Sequence, residues 1–145
     1  MQDLPHRYAV AATAQVDSNV RLSSSGLADI DSAAPAEFGG PGDRWSPETL
    51  LVAAVADCLI LTFRAIARAS RLDWSALTCD VDGILDRVDG VSRFTEFHLR
   101  VVLDVPQGVD QAKATRLLEK AERGCLITNS LSGQSQLVAE VRIAQ

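Results

Sequence analysis

Ser46-Pro47-Glu48-Thr49-Leu50-Leu51-Val52-Ala53-Ala54-Val55-Ala56-Asp57-Cys58-Leu59-Ile60-Leu61 is the stretch around which the rest of the chain must be arranged. Ser46 is a good N-cap, and Pro47 fits the first helical position. Glu48 puts a negative charge in the first turn, where the helix dipole favours it. From Leu50 to Phe63 only Asp57 interrupts the apolar run. A helix that is apolar almost all round is enclosed on most sides rather than laid on a surface. The run is predicted to continue to about Arg71, with Arg64, Arg68 and Arg71 at the C-terminal end that suits cations. Leu50 to Phe63 is too short to span a bilayer, so a buried helix and no membrane partner are expected. A chain of 145 residues has difficulty enclosing such a helix alone. A symmetric partner solves this, and a homodimer with the helix sandwiched between sheets is predicted.

Upstream, Tyr8 to Val16 and Val20 to Ile30 are short β-leaning runs, separated by Asp17-Ser18-Asn19 and Ser23-Ser24-Ser25-Gly26, that read as a small antiparallel meander. Asp31 to Trp45 holds Pro35, Gly39, Gly40, Pro41 and Gly42, and no helix or strand is expected there. Downstream, Leu77 to Leu85 alternates with residues 77, 79, 81 and 85 inward, and Glu96 to Leu103 alternates with 97, 99, 101 and 103 inward. Asp89-Gly90 supplies a hairpin turn between them. Val109 to Arg123 reads as an amphipathic helix with Val109, Ala112, Leu117, Leu118 and Ala121 inward, closed by Gly124. Leu137 to Ile143 is the last strand. Strands are grouped rather than alternating with helices, so the fold class is α+β, with antiparallel sheets around a long central helix, in a single domain over residues 1–145.

The composition bounds the function. Nineteen acidic against 14 basic residues give a net charge of −5, which argues against nucleic acid as a partner. The N-terminus has no signal-peptide core, and a cytoplasmic protein is expected. Three cysteines at 58, 79 and 125 resemble neither a secreted disulfide framework nor a zinc site. No nucleotide or phosphate fingerprint is present, and no cofactor is expected. His6 and His98 sit in no ligand pattern and read as solvated surface.

Cys58 and Cys125 stand out. Each has a plain reading as a small buried hydrophobe, and Cys79, on the inward face of a strand, takes that reading outright. Redox function would need a thiolate. A thiol with a pKa near 8.5 is only about 3% ionised at pH 7, against about 90% at a pKa of about 6. Burial opposes ionisation, and the helix dipole fades before Cys58. A cation must be brought in: Arg44 is nearest in sequence, with Arg21 as a substitute, and Glu48 is suited to holding either by a two-pronged pair.

The Ser46–Cys58 stretch resembles the signature of the OsmC/Ohr family, thiol-dependent peroxidases for organic hydroperoxides. A Pro-Glu pair opens the helix and the reactive Cys follows ten residues later, here Glu48 and Cys58. Cys125-Leu126-Ile127-Thr128-Asn129-Ser130-Leu131 is similar to the second family motif, a Cys followed four residues on by Asn and a small residue. The resemblance implies an intertwined α+β homodimer in which the Cys58 thiolate attacks the hydroperoxide. Cys125 then forms a disulfide with it, and an external thiol or dithiol reductant restores the pair. Trp45, Leu51 and Phe38 are candidate pocket residues. This chain departs from the family at Val16 and Phe38, where an activating Arg is usual, at Leu126 in place of Pro, and at Asp57 beside the thiol. Two other readings stay open: a binding protein for a small hydrophobic ligand, and a thiol redox sensor.

Overall fold

The computed structural model describes residues 1–145. The elements run β1 (Ala11–Thr13), β2 (Val20–Ser23), β3 (Ile30–Ser32), a 3-10 turn (Ala36–Phe38), α1 (Pro47–Ala69), β4 (Ala76–Val88), β5 (Val91–Val105), α2 (Gln111–Gly124), α3 (Leu126–Asn129) and β6 (Gln134–Ile143). The class is α+β, as the grouping of strands requires. The chain divides into two compact units, Met1–Leu50 and Leu51–Gln145.

In the first unit β1, β2 and β3 form the expected antiparallel meander. The expected break after Ser23 is a turn, with the Leu27 amide donating to the Ser24 carbonyl at 3.1 Å, and it separates β2 from β3. The Gly-Pro-rich loop keeps more structure than its breakers suggest. β3 extends to Ser32, and Pro35 opens the 3-10 turn by accepting from the Phe38 amide at 3.0 Å. Ser32 also forms a parallel bridge with Trp45. Tyr8, Val10, Val16 and Leu27 all remain exposed.

Helix α1 starts where the sequence says. Ser46 Oγ accepts from the Thr49 amide at 3.1 Å, and Thr49 Oγ1 accepts from the Ser46 amide at 2.8 Å. This reciprocal cap has Thr where a capping box usually has Glu or Gln. At 23 residues, ending two short of the predicted Arg71, α1 is long and apolar enough to cross a membrane by length and composition. It is nevertheless a core helix: Val55, Leu59, Phe63 and Ala67, spaced by four, are fully buried. Enclosure on most sides is not met within one chain, because one sheet covers one face and Leu61 remains 51% exposed.

The second unit holds that core. Phe97, Leu99, Val101, Leu103 and Val105 of β5 alternate inward, as expected, and join the α1 stripe and Ala114, Leu118 and Ala121 of α2 in one cluster. Burying each large side chain stabilises by about 1.5–3 kcal/mol. Asp89 (φ 52°) and Gly90 (φ 79°) both adopt left-handed backbone, the turn that matches strand twist in a two-residue hairpin. Leu85 does not point inward: a bulge at Ile84/Leu85 shifts the register and leaves both partly exposed. In α2 the N-cap is Asp110, which accepts from the Lys113 amide at 3.1 Å. The helix phase set there buries Ala114 rather than Ala112, which is exposed. One sheet is not purely antiparallel. β6 pairs parallel to β5, Leu99 opposite Leu137, because α2 and α3 carry the chain back across the sheet before β6 begins.

Candidate active site

Cys58 lies in the middle of α1, half-buried, with its Sγ 3.8 Å from Thr62 Oγ1 one turn later. Cys125 lies at the α2–α3 junction and is 1% exposed. There the chain leaves α2 in an extended conformation (φ −68°, ψ 109°), which turns the Cys125 side chain out of the helical path. The junction is tied from both sides. The Thr128 hydroxyl and the Asn129 amide donate to the Cys125 carbonyl at 3.1 Å each, and Asn129 Nδ2 donates to the Arg123 carbonyl at 3.2 Å.

The fold brings these two sulfurs together. Each is among the groups that shift the other's ionisation through a short-range side-chain interaction, and both are free thiols. Their environments pull in opposite directions. Burial pushes the Cys58 thiol up, and Cys125 adds to this; the Ile127 amide and the Thr62 hydroxyl hold it back only in part. Burial also opposes ionisation of Cys125, but the Thr128 amide, the Cys58 thiol, the Thr128 hydroxyl and the Ile127 amide together outweigh it. Its thiol therefore lies below the ordinary range. Two thiols that interact this way lose their protons as a pair, and their titration belongs to the pair rather than to either sulfur.

Beside Cys58 is a cavity of about 500 Å³, lined by Ala54, Leu61 and Ala65 of α1 and by Leu126 and Ile127 of α3, with Asp57 at its wall. Those apolar residues, with Thr62 and Thr128, are what the sequence reading missed. The available signals were the spacing of 54, 58, 61 and 65 along one helix face and Thr128 at capping distance from Cys125. Leu51 packs against the core, Phe38 is exposed, and Trp45 lines a shallow hollow with Asp43, Arg44 and Thr49.

The proposed cations are engaged with other groups. Arg44 Nη1 lies 3.5 Å from the Asp43 carboxylate, and Arg21 Nε lies 3.2 Å from the Asp31 carboxylate. Both pairs are solvent-exposed, where such contacts contribute little. Neither guanidinium is among the groups acting on Cys58. Glu48, in the first turn of α1, has a buried Oε2 with no hydrogen-bond partner. Cys79 packs half-buried against the core, its thiol pushed up to about 11 by burial, by Asp80 and by the Cys125 charge. His98 is paired with Glu96 at 2.7 Å on the outer face of β5 and is 40% exposed.

Comparison with known proteins agrees with this geometry. Residues 40–140 match the family model described as OsmC-like protein. The chain is 34% identical over 113 residues, 75% of each chain, to the uncharacterized protein YmaD of Bacillus subtilis. Among solved structures it is similar to an OsmC-like protein of unknown function from Vibrio cholerae, with a TM-score of 0.82 and 21% identity, over 95% of this chain and all of that one. It is also similar to an organic hydroperoxide resistance protein OsmC from Legionella pneumophila, with a TM-score of 0.76 and 22% identity, over 97% of this chain and all of that one. An organic hydroperoxide resistance protein from Elizabethkingia anophelis matches with a TM-score of 0.77 at 20% identity, over 99% of this chain and all of that one. A capped apolar helix carrying Cys58, a second thiol brought beside it, and a family match across both place this chain in the OsmC-like family.

Proposed function

We propose that the protein is a thiol-dependent peroxidase that reduces organic hydroperoxides through Cys58 and Cys125. The observation that carries this reading is the meeting of the two free thiols, remote in sequence, beside an apolar cavity. Cys58 faces the cavity and Cys125 is covered, so the hydroperoxide meets Cys58 first. The Cys58 thiol gives up its proton to solvent, and the thiolate attacks the distal peroxide oxygen. The O–O bond breaks, the alkoxide leaves and picks up a solvent proton as the alcohol, and Cys58 becomes a sulfenic acid. The Cys125 sulfur then displaces that hydroxyl, which departs as water with the Cys125 proton, and a Cys58–Cys125 disulfide remains. An external thiol or dithiol reduces it by exchange. Cys125 thus serves as the resolving thiol.

In this reading Glu48 and Arg44 supply further activation. The buried, unpartnered carboxylate oxygen of Glu48 suits a guanidinium, and the exposed Arg44–Asp43 contact is weak enough to give way. The chain is read as one OsmC-like domain acting as a cytoplasmic homodimer. The uncovered Tyr8, Leu27, Leu61, Leu126 and Val138 support a partner chain, since a monomer rarely leaves so much apolar surface bare. A second reading, a binding protein for a small hydrophobic ligand with little turnover, is favoured by the raised Cys58 thiol. Peroxide consumption separates the two. Wild type with a dithiol should consume cumene hydroperoxide, Cys58→Ser should not, and Cys125→Ser should allow one oxidation and then stall. Equal consumption by wild type and Cys58→Ser would refute the peroxidase reading.

A further inference from the structure

We propose that Asp57 makes the Cys58 cavity selective for uncharged hydroperoxides over those bearing a carboxylate. This rests on the peroxidase reading and names a substrate class within it. Asp57 is the one charged residue lining the cavity; the walls are otherwise alanine, leucine, isoleucine, Thr62 and the Cys58 thiol itself. No cation of this chain lines the cavity to offset it. Asp57 is exposed and has no salt-bridge partner. Its carboxylate therefore projects a negative field across the route to the neighbouring sulfur. A neutral alkyl or aryl hydroperoxide is unaffected by that field and gains from the apolar walls. An anionic one meets a like charge on entry. Exposed charge interactions of this kind are worth about two- to five-fold in an equilibrium or rate at low salt, and they fade in 1 M salt, where screening acts within about 3 Å.

The test uses the intact protein and two matched probe pairs. In the first, the free acid and the methyl ester of one fatty-acid hydroperoxide oxidise the reduced protein, with loss of the Cys58 thiol followed by mass spectrometry. The ester should react about two- to five-fold faster than the acid at low salt. The ratio should approach one in 1 M salt and in Asp57→Asn, and fall below one in Asp57→Lys. In the second, iodoacetate and iodoacetamide alkylate Cys58, with rates normalised to a free cysteine derivative. Iodoacetate should be disfavoured by a similar factor, and Asp57→Asn should abolish the difference. This arm reads the field without any peroxidase activity. A normal alkylation bias with no oxidation by either hydroperoxide would sink the peroxidase reading and leave the electrostatic gate standing. An acid-to-ester ratio of one in wild type, or an alkylation bias unchanged in Asp57→Asn, would overturn the role given to Asp57.

Discussion

Gly83 offers a sharp test of how α1 seats on the sheet. A Cβ built there lies 2.6 Å from Val52 Cγ2 and 3.0 Å from Phe94 Cε1. Carbon atoms settle at about 3.5–4.0 Å, so Gly83→Ala demands roughly 1 Å of movement between β4 and the first turns of α1. Phe94 can swing aside, being a partly buried ring. Val52 cannot easily, because a β-branched side chain in a helix has one strongly preferred rotamer. Overpacking of this kind costs about 1–3 kcal/mol. Replacing Gly also restricts the unfolded chain, which offsets about 0.4–1 kcal/mol. The expected net loss is about 1–2 kcal/mol, or a fall in Tm of roughly 2–8 °C for a domain of this size. Urea unfolding followed by circular dichroism measures it. Since the clash is with one methyl group, Val52→Ala in the Gly83→Ala background should recover most of the loss, giving a non-additive double-mutant cycle with a coupling of about 1 kcal/mol. Gly83→Ala as stable as wild type, or a strictly additive cycle, would mean that α1 does not approach β4 as described.

The remaining expectations concern single groups. Cys79, with a thiol pushed up to about 11, should alkylate slowly at pH 8. A raised pKa favours the protonated form, so its thiolate fraction there is about 0.1%, roughly 100-fold below that of a thiol with a pKa near 9. Its rate should climb about tenfold per pH unit up to about pH 11, and peptide mapping after timed iodoacetamide labelling would expose a failure of that slope. Ser46→Ala removes the acceptor for the Thr49 amide and should cost about 0.5–2 kcal/mol in chemical denaturation, whereas Ser46→Asp should retain most of the stability.

Much of this protein is local and therefore legible in its residues. Ser46, Pro47 and Glu48 announce the start of α1 because a cap depends on a few neighbouring backbone amides. Asp89-Gly90 announces its turn because only certain residues tolerate left-handed backbone. Phe97, Leu99, Val101 and Leu103 announce the buried face of β5 because a strand alternates by geometry. Other features need partners far away in the chain, and no local rule contains them. The bulge at Ile84/Leu85 exists in the pairing of β4 with β5, and it turned Leu85 away from its expected face. The parallel seat of β6 depends on where α2 and α3 deliver the chain. The half-covered state of α1 depends on how many faces one sheet can cover.

The site divides in the same way. Cys58 and Cys125 were singled out by the family resemblance that the Glu48–Cys58 and Cys125–Asn129 motifs carry, since spacing alone does not say that two cysteines meet. How the surroundings shift each thiol was not visible. That depends on the Ile127 and Thr128 amides being turned toward Cys125 and on the depth of burial around Cys58, both products of tertiary packing. Sequence determined most of the elements, because caps, turns and alternation follow from near neighbours along the chain. Only the folded structure decided the ionisation of the two thiols and their cavity, because electrostatic fields and packed walls arise from atoms that are close in space and distant along the chain.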